Sequence, residues 1–79
     1  MKVFVIVRYG IYMQGIFGVY STKDEALIAA RLYISNEYDD YHAFEVIEYE
    51  MDKIYDEDFK HKEVFLLERN GKEITVKEL

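Results

Sequence analysis

Residues 15–30 read Gly15-Ile-Phe-Gly-Val-Tyr-Ser-Thr-Lys-Asp-Glu-Ala-Leu-Ile-Ala-Ala30, or GIFGVYSTKDEALIAA, and the chain changes period inside them. Up to Tyr20 the residues are apolar, aromatic or β-branched, as a strand requires. Ser21-Thr-Lys-Asp and Thr22-Lys-Asp-Glu then both fit a capping box, in which a hydroxyl accepts from the third helical amide. From there the spacing is helical. At about 100° per residue Ala26, Leu27, Ala29, Ala30, Tyr33 and Ile34 share one arc, with Ile28 and Leu32 opposite them. Asn36 is the expected stop.

Outward from this junction the chain reads as strands. Lys2 to Tyr9 is apolar on both faces, so it predicts an interior strand that needs a cover on each side. Tyr12 to Tyr20 makes a hairpin with it, turning near Tyr9-Gly10 in preference to Gln14-Gly15. His42 to Met51 is a third strand whose apolar residues change phase near Val46, which a bulge explains. Residues 51–62 read as loop or a short helical turn. Glu63 to Arg69 and Lys72 to Glu78 flank Asn70-Gly71, a hairpin signal that pairs Leu67 with Ile74 and Phe65 with Val76. The order is ββαβ followed by a C-terminal β-hairpin, an α+β fold with a mainly antiparallel sheet and one helix on one face. The 79 residues form a single domain, 1–79.

Composition narrows the function classes. There is no cysteine, which removes disulfides and thiolate zinc sites and fits a reducing compartment. The apolar run Val3 to Val7 is too short for a signal peptide, and none approaches a bilayer span of about 20 residues. The expectation is a soluble, cytoplasmic protein. Residues 1–35 carry a net charge of +2, residues 36–60 carry −8 and residues 61–79 balance, so the total of −6 arises in one segment. That field disfavours direct nucleic-acid binding and anionic membranes, and attracts basic partners.

The motifs carry no catalytic chemistry. Gly10-Ile-Tyr-Met-Gln-Gly15 has the gap of a P-loop, yet Ile16-Phe17 stands where Lys and Ser/Thr are needed. GIFGVY places its glycines three apart, not two apart as the RNA-recognition signature requires. His42 and His61 lack metal-binding spacing, and neither Asp39-Asp40 with His42 nor Asp56-Glu-Asp58 has the turn and distal Glu of a calcium loop. Ser21, Thr22, Ser35 and Thr75 are the only hydroxyls besides tyrosine, and the first two are better spent as helix caps than as nucleophiles. No enzyme activity, cofactor or metal is expected.

Two features exceed what folding needs. An acidic, tyrosine-rich segment (Glu37, Tyr38, Asp39, Asp40, Tyr41, Glu48, Glu50, Asp56, Glu57 and Asp58) suits a basic protein surface or mimicry of a nucleic acid. Surplus apolar residues Ile28, Leu32, Val64 and Leu66 suggest a homodimer or partner interface. A different class of function, a small-ligand binder, would use a pocket between protomers lined by Arg8, Tyr9, Tyr12, Tyr20 and Arg31.

The runs Val3-Phe-Val-Ile, Ile16 to Ala26 and Phe44-Glu-Val-Ile-Glu-Tyr-Glu-Met-Asp52 resemble a family of very small bacterial and phage proteins of unknown function. The resemblance covers about residues 2–52 and brings no catalytic residue with it. It implies an accessory gene product, phage or prophage encoded, that acts on a host protein. The chain departs from the pattern at Ile28 and Leu32, where relatives carry polar residues, and in its added hairpin.

Overall fold

The computed structural model describes residues 2–9, 15–37, 41–50 and 61–79. Five strands, β1 (Lys2–Tyr9), β2 (Gly15–Tyr20), β3 (His42–Glu50), β4 (His61–Asn70) and β5 (Glu73–Glu78), form one antiparallel sheet in the order β2-β1-β3-β4-β5. The one helix among the described residues, α1 (Lys23–Ser35), lies on one face. The fold is α+β, as the change of period predicts.

Thr22 is the N-cap, with an extended backbone, and its Oγ1 accepts from the Glu25 amide at 3.2 Å. Asn36 is the C-cap. Ala26, Ala30 and Ile34 are buried against the sheet, and the two small residues allow the helix close approach. Beneath them lie Phe4 and Ile6 of β1, Phe44 and Val46 of β3, and Phe65 and Leu67 of β4. Phe17, Tyr33 and Phe44 interlock at the β2 side, Phe17 edge-on to both other rings at 5.7 and 5.4 Å. Gly18 makes room for the Tyr20 ring, since a Cβ there would lie 2.7 Å from it. The Tyr20 and Tyr33 hydroxyls sit 3.4 Å apart. Gly18 is thus a packing glycine.

Three details depart from the sequence expectation. Arg8 pairs with Gly15, whereas a two-residue turn at Tyr9-Gly10 would pair it with Ile11; the connecting residues 10–14 lie outside the described residues. In the C-terminal hairpin Asn70 pairs with Glu73, so the turn is Gly71-Lys72, with Gly71 at φ 66°. Leu67 then faces Val76, not Ile74, and Phe65 faces Glu78. The shift is by two residues, so every side chain keeps its face. Third, the register slips between Val46 and Ile47, as expected for a bulge, but the extra residue is Val64 of β4. The bulge turns Val64 into the core, where it is 4% exposed. It therefore offers no surface to a partner.

The helix C-terminus is closed from β4. Arg69, buried, donates through Nη1 to the carbonyls of Ile34, Ser35 and Glu37 at 3.1, 3.0 and 2.8 Å. Its Nε donates to the Gly71 carbonyl at 2.9 Å, tying the same side chain to the hairpin turn. The last turn of α1 has no basic residue of its own, so Arg69 supplies the positive charge that a helix C-terminus favours. Replacing Arg69 by Met should cost about 2 kcal/mol or more in urea unfolding, because buried carbonyls lose a charged donor. A loss below about 0.5 kcal/mol, the range of an ordinary surface change, would contradict that role.

Candidate functional site

Apart from the bulges at Phe17 and Val64, alternation along the strands sorts their side chains to the helix face or to the second face of the sheet. The second face carries Val3, Val5, Val7 and Tyr9 of β1, Ile16 and Val19 of β2, Ala43, Glu45, Ile47 and Tyr49 of β3, and Leu66 of β4. Among the described residues no element lies over it. Val5, Ala43 and Ile47 at its centre are buried, while Tyr9, Ile16, Val19 and Tyr41 are exposed.

Glu45 stands in the middle of this face, paired across the strands with Val7 and Leu66. Its Oε2 is buried and, among the described residues, has no hydrogen-bond partner. Loss of water raises the Glu45 pKa, nearby Glu63 raises it further, and His61 opposes them. Tyr9, exposed at its margin, belongs to the same cluster: partial loss of water raises its pKa first, followed by the charges of Glu45 and Glu63 and by Tyr49. Tyr49 stacks on His61 with centroids 5.6 Å apart. Further along, the Tyr41 hydroxyl donates to Glu68 Oε2 at 2.8 Å, and that bond raises its pKa. Across the described strands this face presents Glu45, Glu63, Glu68 and Glu73 against one lysine, Lys77. It is an apolar sheet surface with carboxylates and tyrosine rings set into it.

The residues named from sequence fall differently. Tyr41 is on this surface, but Glu48 and Glu50 share the parity of Phe44 and lie on the helix-side face, where Glu48 meets Lys2 at 3.7 Å. Glu37 is half-buried and accepts from Arg8 Nε at 2.8 Å. Tyr38, Asp39, Asp40, Asp56, Glu57 and Asp58 lie outside the described residues, as does Tyr12. Ile28 and Leu32 are exposed on the outer side of α1, whereas Leu66 is half-buried on the second face.

The residues of the expected ligand pocket are not brought together. Arg8 is on the helix face, donating from Nη2 to His42 Nδ1 at 3.0 Å; Tyr20 is on that face too, while Tyr9 is on the other. Arg31 lines a shallow groove with Leu27, Phe65 and Val76 on the far side of the helix. No group of three metal-ligating side chains occurs among the described residues, and no described helix is long and apolar enough to cross a membrane. Glu45, Glu63 and Glu68 are not among the residues that the sequence singles out. The available signal was Glu45 itself, an acid at the strand parity of Ala43 and Ile47.

A carboxyl held above its ordinary pKa favours the fold in its neutral form. Its stabilising contribution is complete below the unfolded pKa and fades as pH rises through the folded value. Glu45→Gln should therefore raise the melting temperature at pH 7 and make little difference in acid, near pH 4, as thermal unfolding across pH will read. A variant less stable at pH 7 would contradict the placement of this carboxylate.

No curated protein and no solved structure matches the chain. A family model described as a domain of unknown function, DUF7336, matches residues 1–60, from β1 through β3. The chain belongs to that family of small proteins of unknown function.

Proposed function

We propose that this is a non-enzymatic interaction protein whose second sheet face receives a basic protein surface. The observation that carries the reading is the Glu45 carboxylate, desolvated in apolar surroundings and with Oε2 unpartnered among the described residues. An ion in that setting gains most from an incoming cation that replaces the lost water. Arginine fits best: its planar fork donates to Glu45 and Glu63 together while its flat face lies on the rings of Tyr9 and Tyr49. Val7, Ile47 and Leu66 supply the dry surround that strengthens such a pair.

The excess of carboxylates along β3, β4 and β5 steers a basic partner to the face and repels nucleic acid. Tyr41, with its hydroxyl on Glu68, places an exposed amphipathic ring at the margin, the residue type favoured at such contacts. The small-ligand reading has no comparable support, because its residues divide between the two faces.

Proteins captured from a host lysate by the intact chain should be basic, and their binding should fall steeply with salt. Combining Glu45→Gln with Glu63→Gln should weaken the captured partner by about thirtyfold or more, the cost of leaving one member of a buried charge pair alone. Binding that ignores both salt and the double substitution would contradict the proposal.

A further inference from the structure

The two edges of the sheet are built differently. β5 carries Glu73, Lys77 and Glu78 within six residues, the charges by which an edge strand discourages pairing. β2, the opposite edge, reads GIFGVY and carries no charge. Ile16 and Val19 project from it with 69% and 58% of their surface exposed. Among the described residues nothing pairs with its outer side.

The bulge in β2 gives this edge a second property. Val7 pairs with Ile16 and Ile6 with Gly18, which leaves Phe17 as the extra residue. Phe17 turns to the helix face, against Tyr33 and Phe44. Gly15, Gly18 and Tyr20 also lie at helix-face positions, while Ile16 and Val19 lie on the second face. From Gly15 to Tyr20 the faces thus run helix, second, helix, helix, second, helix. That order is palindromic about the Phe17–Gly18 bond. In an unbulged strand an antiparallel pairing centred between two residues would set opposite faces against each other, which pleating forbids. Here each residue meets one of its own face.

We propose that β2 is a self-association edge. Two copies pair their β2 strands antiparallel about a two-fold axis at Phe17–Gly18, joining two five-stranded sheets into one of ten. Ile16 of each copy then lies beside Val19 of the other, covering the most exposed apolar residues of the strand, and such isologous pairing closes after two copies. Backbone hydrogen bonds supply the affinity, as in β-strand addition generally. The helices stay apart: α1 packs chiefly on β3 and β4, so at a strand spacing of about 4.8 Å the two helices are about 20 Å or more from each other. Ile28 and Leu32 take no part. The lack of charge on β2 also removes the repulsion that two copies of an acidic chain would otherwise meet at the junction.

Sedimentation equilibrium on the full chain should give twice the monomer mass at high concentration and dissociation on dilution. Ile16→Lys and Val19→Lys should each leave a folded monomer by circular dichroism, while Ile28→Glu should remain dimeric. Hydrogen exchange needs no substitution: outward-facing amides of β2 should slow as concentration rises, and those of β5 should not. A monomeric mass at all concentrations, exchange in β2 independent of concentration, or a dimer lost in Ile28→Glu but kept in Val19→Lys would each overturn the proposal.

Discussion

Among the described residues one helix of thirteen residues covers one face of a five-stranded sheet and no element lies over the other, and the organisation of the described structure follows from that constraint. β1 and β3 are apolar on both faces, as interior strands covered twice would be. The helix meets the demand on one side with Ala26, Ala30 and Ile34. On the other side Val5, Ala43 and Ile47 surround an acid that a one-sided sheet would place in water. The proposed contact with a basic partner is a reading of that imbalance.

The C-terminal hairpin is integral to the layer that the helix builds. It lies beyond residues 1–60, the part that the family model matches, yet β4 brings Val64, Phe65 and Leu67 into the core. Arg69 joins three elements by hydrogen bonds to the end of α1 and to the turn between β4 and β5. Next to it in register is His42, which accepts from Arg8, whose guanidinium also holds Glu37 just past the helix. The end of the helix is therefore fixed from β1 and β4 by cations supplied across the sheet. Burial of these groups is offset by the hydrogen bonds they make.

Much of the fold is legible in the sequence because local signals agree with the global one. Thr22 caps where the hydroxyl and acid spacing says it should, the apolar arc of the helix is the buried arc, and Asn36 ends it. The register of the last hairpin is less legible, since Asn-Gly marks a turn without stating whether Asn belongs to the turn or to the strand. Arg69 decides it: the side chain serves both the helix end and the Gly71 carbonyl, which holds Asn70 in the strand opposite Glu73. Strand alternation alone puts Val64 on the second face, and the bulge reverses that parity and turns it into the core. The candidate site was hidden for a related reason. Counting carboxylates finds the acidic segment, but only the pairing of β3 with β1 and β4 reveals that Glu45 sits among apolar neighbours while Glu48 reaches a lysine.

The most direct measurement is a carbon-13 NMR titration of the Glu45 carboxyl in the free protein. The midpoint should lie above that of an unperturbed glutamate and move lower in Glu63→Gln, because the neighbouring charge is gone. A midpoint at or below the ordinary glutamate value would mean that the carboxylate is already solvated or paired, and would remove the basis for a cationic partner on this face.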